Sequence, residues 1–267
     1  MPLVLGAASA TAAAGYDVDN SCRLNLADSD HFTRTSGTST NVDICTASFW
    51  VKRSRISIGD EAIMGEYTDS SNRGKLLFHD SDKLHYFQKT GGSTTIDVKT
   101  TRVFRDVGAW YHICVAFDST QVTDTDRIKF YVNGVQETVF DNTSYPSSGQ
   151  NIRINESSAP IFIGQAGASA AYFDGDMSHV QFVDGLQLAP TEFGEVDETS
   201  GIWKIKLDAY STPGTNGFFL KMEDRTNLDL DSSSNAHTFT TSGTLTATYD
   251  NPDNNFCTMN PLDNYYA

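Results

Sequence analysis

The chain has 267 residues, 39% hydrophobic and 11% aromatic, which is enough apolar surface for a substantial core and excludes disorder of the whole. Asp and Glu total 34 against 19 Lys and Arg, a net charge of -15; the densest basic stretch is Lys52, Arg53 and Arg55, so a nucleic-acid partner is excluded for want of a basic stripe. No apolar run reaches the roughly 18 residues that a membrane-spanning helix requires, so no membrane partner is expected.

Residues 1–15 are small and apolar and lack the basic start of a secretion signal, since the first cationic side chain is Arg23; they read as an extended arm. Its apolar tip suits docking on a neighbouring subunit. Strand-like runs follow at 21–26, 47–52, 75–79, 83–88, 110–117, 127–132, 161–164, 179–183 and 218–222, divided by Ser, Thr, Asn, Asp and Gly clusters. Ile113, Val115 and Phe117 alternate with Cys114 and Ala116, and Ile128 and Phe130 alternate with Lys129; a period of two marks strands with one face buried. Asn133-Gly134 is a hairpin signal because both residues tolerate positive φ, and Gly91-Gly92 and Asp174-Gly175 read the same way. Helical periodicity is nearly absent, with one turn expected over 190–194, starting at Pro190 or Thr191. Many short strands without helices predict an all-β antiparallel jelly-roll sandwich, with Phe49, Trp110, Ile113, Val115, Phe117, Phe130 and Phe162 in its core. A composition shift at 192–200 divides the chain into the arm (1–15), the sandwich (16–190) and a smaller β-rich extension (191–267).

The cysteines, Cys22, Cys45, Cys114 and Cys257, match neither a zinc spacing nor a C-x-x-C motif. Three lie in apolar runs and read as free buried thiols, in keeping with assembly in a reducing cytoplasm; a Cys22–Cys45 disulfide is the alternative.

Three segments in order resemble the concanavalin A-like, laminin-G-like family: ASFWVK at 47–52; WYHICVAFD at 110–118 followed by IKFYVNGV at 128–135; and IFIG at 161–164 followed by FDGDMSHVQF at 173–182. The resemblance implies a lectin-like jelly roll, a fold that hosts lectins, hydrolases and adhesive modules. Both ends resemble tailed-phage virion proteins: GYDVDNSCRLN at 15–25, TNGFFLKM at 215–222, LDSSSNAHTFT at 230–240 and NNFCTMNPL at 254–262.

Catalytic residues are expected to be none. The glucanases of the resembled superfamily carry E-x-D-x-E or E-x-D-x-x-E, which alternation places on one strand face. Glu195, Asp197 and Glu198 come nearest, but Glu198 follows Asp197 directly and points the other way. There is no G-x-S-x-G elbow, H-E-x-x-H pair or Walker loop, and His112 reads as a packed strand histidine. Tyr67, Asp69 and Asn72, on a polar inter-strand loop, are the candidate ligand-binding residues, a ring to stack on a sugar with two hydrogen-bonding partners. Asp118, Asp124, Asp126, Asp174 and Asp176 are candidate oxygen ligands for Ca2+. Trp50, Trp110 and Trp203 read as core or interface rather than as ligand platforms.

The expected function is that of a phage virion structural protein: a tail fibre or surface appendage with a lectin-like module for host-surface glycans, without enzymatic activity, assembled in the host cytoplasm and displayed on the virion surface. Its other partners are virion proteins and further copies of itself, a trimer being compatible. The alternatives are a capsid decoration protein that binds no sugar and a glycan depolymerase.

Overall fold

The computed structural model describes residues 18–206 and 210–255. The arm at 1–15 and Cys257 lie outside the described residues. In chain order the strands are β1 (Ser21–Leu24), β2 (His31–Thr35), β3 (Ile44–Arg53), β4 (Glu61–Asp69), β5 (Asn72–Phe78), β6 (Lys83–Thr90), β7 (Ser93–Val103), β8 (Tyr111–Asp118), β9 (Ile128–Val132), β10 (Val135–Glu137), β11 (Phe140–Ser144), β12 (Pro160–Ile163), β13 (Gly175–Asp184), β14 (Gly194–Val196), β15 (Trp203–Ile205), β16 (Phe218–Leu220), β17 (Thr240–Ser242) and β18 (Thr246–Thr248). The first sheet runs β10-β9-β8-β3-β13-β1-β18, with β16 also on β13; the second runs β11-β7-β6-β5-β4-β12-β2-β17; all pairings are antiparallel. The fold is therefore the expected all-β jelly roll. Within 191–255, β16 and β18 join the first sheet and β17 the second, while β14 and β15 pair with each other.

The core lies between the inner faces. Phe49, Ile113, Val115, Phe117 and Phe130 are all fully buried there, as their alternation requires. Arg53 closes one end of the core, donating to Glu61 at 2.7 Å and to Asp82 at 3.1 Å, with its guanidinium over the Phe78 ring. Arg153 is paired with Glu66 at 2.7 Å. Burial pushes both glutamates up against the pull of their arginine partners.

One of the residues expected to be buried is not. Phe162 is half-buried on the outer face, because it lies between Ile161 and Ile163, which both point inward. Trp110 is buried as expected, in a second apolar cluster on the outer face of the first sheet, where it packs with Val18, Trp50 and Ile205. Asn133-Gly134 makes the expected β9–β10 turn, with φ of 48° and 79°, and Gly91-Gly92 makes the β6–β7 turn, with φ of 58° and 84°. Asp174-Gly175 is not a turn. Gly175 opens β13, and a Cβ there would stand 2.1 Å from the Lys52 carbonyl, so the glycine serves close approach of strands. Pro190–Glu192 forms the single expected helical turn. Cys22, Cys45 and Cys114 are free and buried, and the Cys22–Cys45 bridge does not form.

The two sheets differ in what lies outside them. On the second, β7 shows the alternation of a half-solvated strand. On the first, every residue of β8 and of β13 is buried. The cover is supplied by chain beyond β13: Leu188, Phe193 and Tyr210 pack over Cys114 and Val183, and Ile205 packs over Trp50 and Trp110. These segments act as a roof.

Replacing Phe117 by Ala is expected to cost about 3–5 kcal/mol, and replacing Phe162 under about 1.5 kcal/mol, in urea unfolding monitored by circular dichroism. Equal costs would place both rings in one environment.

Candidate binding groove

The residues singled out in the sequence do not converge on one site. Asp69 and Asn72 face each other across the β4–β5 turn, but both are committed to it: Asp69 Oδ1 accepts from the backbone N–H groups of Ser71 at 2.7 Å and Asn72 at 2.9 Å, and from the Asn72 side-chain amide. These hydrogen bonds hold the Asp69 carboxyl below its ordinary range. Asn72 Oδ1 in turn accepts from Gly91 N–H at 3.0 Å, lacing the β4–β5 tip to the β6–β7 tip. Tyr67 is half-buried beneath Gly167, where a Cβ would come within 2.3 Å of the tyrosine Cβ.

The five aspartates considered for Ca2+ fall into two groups. Asp118 ends β8 opposite Ile44, whereas Asp176 pairs with Lys52, eight residues along β3 and so about 26 Å away at ~3.3 Å per residue. Asp118 caps Thr120 and Gln121; Asp126 pairs with Lys129; Asp174 pairs with Arg23 at 2.8 Å. Among the described residues no group of three or more His, Cys, Asp or Glu side chains is gathered to hold a metal ion. Glu195 and Asp197 lie on the roof hairpin β14–β15 and its turn. Asp197, accepting from Thr199 and Ser200 N–H and paired with Lys204, is held down to about 2.

One arrangement has the outline of a hydrolytic dyad. His112 Nε2 stands 2.8 Å from Ser48 Oγ. Both residues are buried, and His112 Nδ1 faces the indole N–H of Trp203 at 3.0 Å. An indole nitrogen only donates, so Nδ1 carries the lone pair and Nε2 the proton, which is donated to Ser48. That tautomer cannot take a proton from the serine. Burial pushes His112 down to about 3, so the imidazole stays neutral across the physiological range.

The same histidine lies buried beneath a groove that gathers all three tryptophans. His112 stacks between Trp50, at 5.1 Å between ring centroids and 29° between planes, and Trp203, at 5.8 Å and 26°. Trp110 lies alongside and donates its indole N–H to Asp250 at 2.9 Å. The groove opens between two arms of the roof. One wall is Gly201, Ile202 and Trp203 of the β14–β15 hairpin; the other is Pro252 and Asn255; Ala109 and Asn133 complete the lining, around a volume of about 440 Å³. Ile202 is 65% exposed and Trp203 half-buried, while Trp50 and Trp110 show only their edges.

Each wall is fixed by chemistry beneath it. A Cβ on Gly134 would stand 2.5 Å from the Trp203 ring, and one on Gly194 would stand 2.6 Å from it, so only glycine lets the indole lie there. The opposite wall is moored by Lys52, whose ammonium donates to Asp250 and Asn255, each at 2.7 Å. Asn255 donates to the Gly108 carbonyl, and Asn251 to the Val18 carbonyl. Asp176, paired in register with Lys52, is pushed up to about 7 by burial, with Asp250 and Asp174 adding to the shift and Arg23 and Lys52 opposing it.

Residues 26–192 match the family model of the concanavalin A-like lectin/glucanases superfamily, which is more than half of the chain. The chain belongs to that superfamily. Superfamily-like folds among solved structures include a heptameric SAP-like pentraxin from Limulus polyphemus, 16% identical, with a TM-score of 0.46 over 67% of this chain and 82% of that one. Domain 4 of an extracellular arabinanase from Geobacillus stearothermophilus, solved with arabinotriose, is 17% identical, with a TM-score of 0.48 over 64% of this chain and 73% of that one. Tailspike protein 2 of an Escherichia coli O157:H7 bacteriophage is 13% identical, with a TM-score of 0.44 over 64% of this chain and 23% of the tailspike. No curated protein matches the sequence. The tryptophan groove is shared between the matched region, which supplies Trp50, Ala109, Trp110 and Asn133, and the chain beyond residue 192, which supplies its two walls.

The Asp176 environment generates a pH prediction. A carboxyl raised from about 4 to about 7 by folding contributes stability that is complete below pH ~4 and lost as the pH rises through ~7. Asp176→Asn stays neutral throughout. Its melting temperature should equal that of the parent near pH 4 and exceed it by a few degrees near pH 8, read by calorimetry. A destabilised variant at pH 8 would show that the Asp176 charge holds the mooring together.

Proposed function

We propose that this chain is a phage virion structural protein, part of a fibre or surface appendage, whose jelly roll binds host-surface glycans without cleaving them. The observation that carries the binding half is the groove with its three tryptophans. Sugars present C–H faces that pack on indole rings and hydroxyls that seek amide partners, and the groove offers both through Trp203 and the flanking Asn133 and Asn255. Its volume, about 440 Å³, falls in the ~300–1,000 Å³ range of small-molecule sites and suits one or two sugar rings. The non-catalytic half is supported by Glu195 and Asp197, of which both pair with Lys204 and Asp197 also caps a turn, and by the tautomer of His112. Support for the virion setting comes from the motifs at 15–25, 215–222, 230–240 and 254–262, which resemble those of tailed-phage virion proteins. In this setting the protein assembles with further copies and other virion proteins in the host cytoplasm and is displayed on the particle surface.

The test is titration of the purified protein with surface polysaccharide of the host, followed by tryptophan fluorescence and calorimetry. The parent is expected to bind saturably. Trp203→Ala is expected to weaken binding at least tenfold, about 1.4 kcal/mol, without loss of fold. Prolonged incubation is expected to release no reducing ends. Unchanged affinity in Trp203→Ala would remove the groove from recognition, and release of oligosaccharides would make the chain a depolymerase.

A further inference from the structure

Which sugars the groove would accept follows from the groups it presents, and this inference rests on the glycan-binding reading above. None of its lining side chains is ionisable. The nearest charges, Lys52 and Asp250, lie beneath the floor, 2.7 Å apart and engaged with each other. Both indole N–H groups with assigned partners point away from the groove, Trp110 into Asp250 and Trp203 into His112. A ligand therefore meets ring carbons, the exposed Ile202 side chain and the amides of Asn133 and Asn255, whose oxygens already accept from His112 N–H and from Lys52, so that the amides act toward it as N–H donors. The residues that flank the lining along the chain are acidic: Asp197 and Glu198 on the turn that leads to Gly201, and Asp253, which accepts from Val18 N–H, beside Pro252, on a protein of net charge -15. Lys204, the cation of the hairpin, is paired with Asp197 at 3.2 Å.

We infer that the groove selects uncharged saccharides, neutral hexose or pentose units, and rejects sugars that carry carboxylate, phosphate or sulfate. Binding an anionic sugar places its charge in a groove that supplies no cation to compensate the lost hydration. It also brings that charge within the roughly 8–10 Å over which the acidic rim acts at ordinary ionic strength. A neutral sugar meets neither cost. It gains apolar contact with the indole wall and hydrogen bonds to the two amides, terms that salt does not screen.

The width of the groove is set by the seat of Trp203 on Gly194. Gly194 has an ordinary extended backbone, so Ala there keeps the strand while its Cβ, 2.6 Å from the ring, forces the indole outward.

The experiment uses the full chain on a set of neutral oligosaccharides and matched acidic ones. The acidic members are uronic-acid oligosaccharides, each with its carboxyl-reduced form as the neutral counterpart. Expected are binding confined to the neutral members, affinity constant within twofold between about 0.05 and 0.5 M salt, a tenfold or greater loss in Gly194→Ala with an unchanged circular dichroism spectrum at 25 °C, and no change in Asp69→Ala. Preferential binding of acidic members, with affinity falling tenfold or more over that salt range, overturns the charge rule and leaves glycan binding standing. Absence of binding to every member overturns the glycan reading itself, and the charge rule with it.

Discussion

The structure is organised by polar groups that the first sheet buries on its outer side. β3, β8 and β13 place Ser48, Lys52, His112, Asp176, Ser178 and Gln181 beneath other chain rather than in water. A buried polar group without a partner costs about 1–3 kcal/mol, so the roof must lie in a register that satisfies them. The hydrogen bonds show that register: Trp203 donates to His112, Asp250 accepts from both Lys52 and Trp110, Tyr210 N–H donates to Gln181, and Thr46 exchanges bonds with the backbone of Leu186 and Leu188. An apolar roof on an apolar sheet could slide. This one is fixed by directional bonds to named partners, and the gap between its two arms is fixed with it.

That gap is where the fold departs from a plain two-layer sandwich. The inner core makes a jelly roll and says little about function, because the architecture hosts many activities. The groove is built on the outer face from the hairpin β14–β15 and the turn at 249–255, over Trp50 of β3 and Trp110 just before β8, with His112 buried below. The hydrogen bonds that close the roof also turn the indole N–H groups of Trp110 and Trp203 downward, leaving a lining of ring carbon and amide. Structural mooring and ligand chemistry are thus two consequences of the same contacts.

Much of the sandwich was legible in the sequence because alternation reports directly on which side a residue faces. Ile113, Val115 and Phe117 could be placed from parity alone, and Asn133-Gly134 from the positive φ that its turn requires. Phe162 carries a signal of the same kind: it stands between two inward isoleucines, so parity turns its ring outward whatever its hydrophobicity. Trp110 shares the parity of His112 and Cys114, opposite to Ile113, which puts its buried ring in the outer layer. The candidate ligand residues Asp69 and Asn72 form a D-x-x-N turn whose side chains satisfy its own backbone. The groove itself was not legible. Trp203 lies 91 residues from the histidine it binds, and Trp110 lies 140 from Asp250. Nothing in local periodicity reports where such a distant segment lands; a polar His and Lys inside otherwise buried strands was the available hint that a third layer would be needed.

The central claim, that the gap in the roof is the ligand site, is tested most directly by following the three indole N–H resonances in a two-dimensional nitrogen–proton spectrum during titration with a bound saccharide. Trp50, Trp110 and Trp203 line one groove, so all three resonances should shift together along a single saturation curve, while the backbone amides of Ser71 and Asn72 stay in place. Saturable shifts at the β4–β5 tip with the three indoles unmoved would contradict the account and return recognition to the Tyr67–Asn72 hairpin.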